Sequence, residues 1–378
     1  MFNLHLTYKW LRWTRPTAPP PPLPDGVERF FTKTSSGDLE MLYAAPVTDG
    51  TKPSPAPKPI LFVHGGMGSA WVWLEYMQYL SARGIPCYAV SLRGHGESWH
   101  PSYLRMVYGT RRLDLANDVV AALRAIQFHD ASVDAAALEV VLVGHSSGGG
   151  LSQYILQAPW LAKLRPPRIC GLALLGAVPG FGSLGVYVNW WRVDPLFGIR
   201  MLLHGWHPNS ALSHPALTKR VFFSDEVDDD YVLRFQARTS AYESFLWPLS
   251  MMRRFVDPAR LLCRLWGWTS SSDGSGSSTR SGQRILIMSG EGDKLMTPPV
   301  MRHLAATYRA AFADQANAKK IEVGHDSAEV VPLAGEGGVD DAGQGVRFCI
   351  APGAGHHLQN DVEWEVGARK LLEFYKQL

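Results

Sequence analysis

Six short apolar runs punctuate the sequence, and each leads into a glycine-bearing turn: ILFVHGG, PCYAVSLRGHGES, LEVVLVGHS, RICGLALLGAVP, RILIMSGEGD and VRFCIAPGAGHH. Continuous apolar character, rather than alternation, marks strands buried on both faces, as in a parallel sheet. Segments with helical spacing separate these runs, among them WVWLEYMQYLSARG, RRLDLANDVVAALRAIQ, GGGLSQYILQAPWLAKL, PPVMRHLAATYRAAFADQ and DVEWEVGARKLLEFYKQL. Strand–helix alternation requires crossovers, so the expected fold class is α/β, a mostly parallel central sheet with helices on both faces.

The alternation is interrupted twice. From 180 to 283 the chain is helical, aromatic and irregular, and it ends in the Ser/Gly-rich tract SSSDGSGSSTRSG. An acidic, Gly-rich stretch over 320–345 separates the last two strands. At the other end, PTAPPPPLPD reads as an extended linker, and VERFFTKTSSGDLEMLYAAP reads as two strands around a turn. The expected organisation is an N-terminal extension and linker over 1–26, an α/β core over 27–179 and 284–378, and an inserted helical lid over 180–283.

The stretch VLVGHSSGGG carries the chemistry. Gly144-His145-Ser146-Ser147-Gly148 fits Gly-x-Ser-x-Gly between a strand and a helix. A serine on so sharp a turn has a strained backbone, and bulky residues two positions away would crowd it. Ser146 has glycine at both places. Ser147 has His145 at minus two, so Ser146 is the expected nucleophile.

A hydroxyl needs a base, and the base needs an acid to orient it. His356 follows the last apolar run and a glycine turn, which favours it over its neighbour His357. His325 in the acidic insertion has no strand to position it. In SGEGDKLMTP, Asp293 lies deeper in the loop than Glu291 and is the favoured acid. Donors for an oxyanion are expected from the Ser147 amide, at a helix start, and from the Gly66 amide after ILFVHGG, with Met67 the alternative. His64 is expected to hold this loop, and His95 in RGHGES to serve a structural turn.

These motifs, FVHGGMGSAW, SLRGHGES, VGHSSGG, SGEGD and PGAGHH, resemble in order and spacing those of the α/β-hydrolase superfamily, in its lid-bearing group of esterases and lipases. The resemblance covers roughly 27–378, less the two insertions. It implies an α/β-hydrolase fold, the order Ser146, Asp293, His356, and a lid over the site. It implies hydrolysis of a carboxylic ester, with acyl transfer or thioester cleavage as the alternative and a lyase or binding role behind them. Serine at the elbow departs from the aspartate of haloalkane dehalogenases and epoxide hydrolases and from the cysteine of dienelactone hydrolases. The HGG run is shorter than in hormone-sensitive-lipase-like esterases.

Within the lid, Trp190, Trp191, Phe197, Trp247, Met251 and Met252, with Met67 from the core, are candidates to line an apolar substrate pocket. An apolar small molecule or lipid ester is the expected partner. With 37 basic against 34 acidic residues the chain is nearly balanced, which gives no footprint for nucleic acid. Cys87, Cys170, Cys263 and Cys349 form no CxxC pair, so neither metal nor cofactor is expected, and a reducing, cytoplasmic setting fits better than a disulfide scaffold. The N-terminus MFNLHLTYKWLRWTRP is apolar, aromatic and basic. Packing on the body, peripheral membrane contact and organelle targeting are its three readings.

Overall fold

A computed structural model describes residues 3–48, 56–129, 138–268, 283–321, 340–343 and 345–378. The Ser/Gly-rich tract and His325 lie outside the described residues.

Among the described residues the strands are β1 (Val27–Lys33), β2 (Asp38–Ala44), β3 (Ile60–Val63), β4 (Cys87–Val90), β5 (Glu139–His145), β6 (Arg168–Leu175), β7 (Ile285–Gly290), β8 (Asp340–Gly343) and β9 (Val346–Ala351). They form one sheet in the order β1-β2-β4-β3-β5-β6-β7-β9-β8. The six central strands pair in parallel. The β1–β2 hairpin and β8 pair antiparallel at the two edges. Each apolar run of the sequence became one parallel strand. Ile60, Leu61, Phe62 and Val63 of β3 are all fully buried, which explains why these runs do not alternate.

Flanking the sheet are α1 (Leu74–Ser81), α2 (Arg112–His129), α3 (Ser146–Gln157), α10 (Pro298–Asn317) and α11 (Trp364–Tyr375). Helix α1 packs with α11, and α2 packs with α3, as a sheet covered on both faces requires. Helix α3 stops before Pro159, which cannot continue a helix and biases the preceding residue towards extended backbone. The expected continuation to Leu164 is instead a separate short turn.

Between β6 and β7 the chain forms α4 (Leu184–Val193), α5 (Phe197–Leu203), α6 (Pro215–Phe222), α7 (Asp229–Arg238), α8 (Leu246–Leu249) and α9 (Pro258–Leu262). Side chains of His214, Asp228 and Asp257 accept amide hydrogens at the starts of α6, α7 and α9, and proline opens α6 and α9. Helix α9 packs on α3 and α10. The Trp266 amide donates to Ile169 O at 2.8 Å, and buried Trp268 lies edge-on to Phe312. The cap is therefore shorter than the expected 180–283: its last turns, from Pro258 to Trp268, belong to the core.

The N-terminal segment lies along the cap. Tyr8 Oη donates to Leu203 O at 2.7 Å, and His207 Nε2 donates to Arg12 O at 2.9 Å. Packing on the body is thus one role of the extension.

Candidate active site

The strand order reverses at β3, which has β4 on one side and β5 on the other. In open α/β sheets such a reversal opens a crevice at the carboxyl ends of the strands. Ser146 stands there, where β5 passes directly into α3. Its φ of 51° is left-handed, which a non-glycine residue adopts only at a cost of about 1–3 kcal/mol. The flanking glycines serve a different contact from the one expected. A Cβ on Gly148 would meet the His64 carbonyl oxygen at 2.1 Å, and one on Gly144 would meet Gly149 Cα at 2.7 Å. They let α3 start hard against β3 and β5, and the crowding falls on the backbone rather than on Ser146.

His356 lies between the two other expected residues. Its Nε2 is 3.0 Å from Ser146 Oγ, and its Nδ1 is 2.9 Å from Asp293 Oδ2. The remaining oxygen of Asp293 accepts the amides of Leu295 and Met296 at 2.8 and 2.9 Å. The acid is thus fixed from its own loop and free to orient one imidazole. Three strand ends, those of β5, β7 and β9, supply the three groups.

The rivals are accounted for. His357 is buried among Phe222, Phe223 and Phe235, with its Nδ1 on Asn360 Oδ1 at 3.2 Å. Burial, with His356 beside it, pushes its pKa down to about 3, so it stays neutral. Glu291 accepts the Gly353 amide at 2.9 Å in an exposed turn. Burial, with His95 beside it, holds His64 neutral; its Nδ1 donates to Gly65 O and its Nε2 accepts the Leu92 amide. It ties together the loops after β3 and β4, as expected.

The amide donors are distinguishable. Met67 N–H donates to Glu243 Oε2 at 3.0 Å and is therefore committed. Gly66 N–H donates to Ser147 Oγ at 2.7 Å, so the hydroxyl of Ser147 sits where a carbonyl oxygen would bind that amide. Met67 itself is left-handed, with φ 65°.

Glu243 and Asp361 escaped the sequence reading because no motif surrounds them. Glu243, in SAYESF of the cap, accepts Met67 N–H, Ser244 N–H and His95 Nε2. His95 Nδ1 also lies 2.9 Å from Arg93 O, so both ring nitrogens face acceptors. Burial opposes both charges, yet each is held by the other: the pKa of His95 is raised and that of Glu243 lowered. Asp361 accepts the amides of Gly355 and Ser224 at 2.9 and 2.8 Å, joining the cap to the loop that carries His356. His145 Nε2 donates to His356 O at 2.9 Å.

The expected lining residues divide. Trp247 and Met251 are buried, and Met251 Sδ lies against Gly150 of α3. Trp190 packs on Phe197 within the cap. The Phe222 ring stands 5.7 Å from that of His356, and Met67 Sδ meets Ser240 of the cap. Trp191 does not line a pocket: it projects outward from α4. Among the described residues no group of three His, Cys, Asp or Glu gathers as metal ligands would.

A mostly parallel sheet with helices on both faces, a strained serine between strand and helix, and a helical segment inserted after β6 define the class of α/β protein. The chain belongs to the α/β-hydrolase family, whose model matches residues 60–361. Among curated proteins it is 32% identical over 122 residues to a non-heme chloroperoxidase of Streptomyces lividans; the match takes in 32% of this chain and 37% of that protein, little more than a third of the relative's length. Its fold resembles that of an esterase from Thermogutta terrifontis, with TM-score 0.54, 16% identity, and 92% and 98% of the two chains covered. It also resembles that of a monoglyceride lipase from Saccharomyces cerevisiae, with TM-score 0.56, 16% identity, and 94% and 99% covered.

Proposed function

We propose that the protein is a serine hydrolase that cleaves a carboxylic ester of an apolar substrate. The observation that carries this reading is the position of His356, within hydrogen-bonding distance of both Ser146 Oγ and Asp293 Oδ2. Ser146 Oγ attacks the acyl carbon while its proton passes to His356 Nε2. Asp293 keeps the ring oriented through Nδ1–H and stabilises the imidazolium. Charge on the carbonyl oxygen is met by the amides of Ser147 and Gly66, once Ser147 Oγ has given up the Gly66 amide. His356 then protonates the leaving alkoxide, leaving an acyl group on Ser146. Water, deprotonated by His356, releases the acid and restores the serine.

Phe222 beside His356 favours an apolar acyl or alcohol group. The buried pair of His95 with Glu243 is internally neutralised and offers no unpaired charge to an ionic substrate. An acyltransferase or thioesterase would use the same acyl-enzyme with another acceptor.

A panel of p-nitrophenyl esters of increasing chain length, run on wild type and Ser146→Ala, tests the proposal. Hydrolysis that favours medium or long chains and vanishes in the variant supports it. Equal hydrolysis by both proteins rejects it. Trapping of the acyl group by added alcohols or thiols in preference to water would reassign the acceptor.

A further inference from the structure

The outer surface of the cap is inverted relative to an ordinary surface helix. On α4 the exposed positions are Leu184, Gly185, Val188, Trp191 and Arg192; on α5 and the turn after it they are Gly198, Ile199, Leu202, Leu203, Gly205 and Trp206. Their spacing, 184-188-191 and 199-202-203-206, is that of a helix face. Such a stripe normally points to the core. Here Leu184 and Leu202 are each 61% exposed, Trp191 62% and Trp206 57%. Arg192 is the one charged residue among these positions.

The two helices form one unit. Asp194, at the end of α4, is buried and paired with Arg200 of α5, and Trp190 packs on Phe197. The N-terminal segment extends the surface. Tyr8 bonds Leu203 and stacks edge-on to His204, while Trp13 packs on His207. Leu6, Tyr8 and Trp13 are themselves largely exposed.

Charge identifies the occupant. Residues 1–24 contain Lys9, Arg12 and Arg15 and no acid, and Asp194, the single acid between 184 and 206, is buried in its ion pair. Lys9 and Arg192 are exposed, and among the described residues neither is bonded to a carboxylate. Arg15 alone is neutralised, by Glu97. Asp225 and Asp229 border residues 6–9 but have Lys219 and Lys294 beside them. Exposed leucine and isoleucine, tryptophan and tyrosine with apolar bodies and polar tips, and an excess of basic over acidic groups are the composition of a surface that lies in a lipid interface. Among the described residues no helix is long and apolar enough to cross a membrane, so the contact is one of docking.

We propose that α4, α5 and residues 6–13 form a docking face for a bilayer bearing anionic headgroups. Leucine, isoleucine and tryptophan side chains enter the headgroup–acyl boundary, and Lys9, Arg12 and Arg192 meet lipid phosphates and carboxylates. The proposal does not rest on the ester-hydrolase reading, because it concerns binding alone.

The test is co-sedimentation of Ser146→Ala protein with phosphatidylcholine vesicles, with and without phosphatidylserine. The expected result is binding to the phosphatidylserine vesicles that weakens severalfold without the anionic lipid and falls as salt is raised. The combined variant Trp191→Ser, Leu202→Ser and Trp206→Ser should bind at least ~100-fold less well, since three apolar side chains no longer leave water. All three project outward, and an unchanged melting temperature would verify folding. Lys9→Glu with Arg192→Glu should remove the preference for phosphatidylserine. No binding to either vesicle, or equal binding by the triple variant, overturns the proposal. So does concentration-dependent dimerisation without lipid that the triple variant abolishes, because the face would then belong to a second copy of the chain.

Discussion

Glu243 of the cap accepts the backbone amide of Met67, in the loop after β3, at 3.0 Å, and Ser240 N–H donates to the Met67 carbonyl at the same distance. The cap thereby holds both polar groups of a left-handed, non-glycine residue next to the proposed amide donor Gly66. A residue in that conformation costs about 1–3 kcal/mol and persists because its surroundings fix it. Replacing Glu243 by Ala should release Met67 and lower kcat about 10- to 100-fold by misplacing the Gly66 amide. Glu243→Gln, which keeps an acceptor, should lose less. Steady-state kinetics on a soluble ester will check this; unchanged kcat in the Ala variant would show that the loop holds its shape without the cap.

The same carboxylate makes stability depend on pH in a stated window. Glu243 has a lowered pKa, so its contribution is present above the ordinary 4.5 and is lost as pH falls through its folded value. His95 has a raised pKa, so its contribution is complete below the ordinary 6.5 and is lost as pH rises through its folded value. The pair therefore supports the fold most between those two ordinary values. Glu243→Ala leaves a buried, unpaired imidazolium and should cost about 3–5 kcal/mol there. Thermal melts of wild type and variant should differ most in that window and converge as pH rises past the folded pKa of His95. A gap that widens with alkalinity would contradict the pairing.

Ser147 offers a sharper test of the amide pair. Its hydroxyl accepts Gly66 N–H at 2.7 Å and must yield before a substrate carbonyl can take that bond. A net hydrogen bond is worth about 0.5–1.5 kcal/mol. Ser147→Ala should therefore raise kcat/KM by a few-fold to about tenfold, since the Ser147 amide is retained. A large loss of activity would mean instead that the hydroxyl helps to hold the oxyanion.

Neighbouring histidines should behave very differently. His356→Ala should lower kcat by roughly four orders of magnitude or more, as removal of a general base does. His357→Gln should retain most activity and show its cost in melting temperature, because that ring fills a pocket among phenylalanines. Comparable kinetic losses in both would undo the assignment of the base.

Glu75 marks a weakness in the fold. Burial raises its pKa from 4.5 to about 7, against the opposing pull of its own amide, Arg238 and Asn360. Its folded pKa lies above the unfolded one, so stability is full below 4.5 and declines as pH rises through about 7. Glu75→Gln should thus stabilise the protein at pH 8 by about 1–3 kcal/mol and change little at pH 4. Urea unfolding at the two pH values will read the difference; equal effects at both would refute it.

Much of this architecture is legible in the sequence because burial and backbone geometry act locally. The continuous apolar runs became parallel strands, and the elbow glycines stand where α3 touches β3. The glycine turn before His356 and the depth of Asp293 in its loop set them apart from His357 and Glu291, and the two stand 2.9 Å from each other. What was not legible depends on long-range contact. Glu243 reaches His95 across 148 residues, and Ser224 reaches Asp361 across 137. Trp191 and Trp206 look like core residues in a sequence, because hydrophobicity does not say which way a side chain points. The end of the cap was misplaced for a similar reason: Pro258–Trp268 has the same aromatic composition as the cap but packs on α3 and α10.

The central claim is that Ser146 is the nucleophile. Intact-mass analysis after treatment with a fluorophosphonate, followed by peptide mapping, measures it most directly. The expected result is one adduct per chain, on Ser146, absent in Ser146→Ala and strongly slowed in His356→Ala. Folded wild-type protein that gains no adduct, or carries it on Ser147, would contradict the claim.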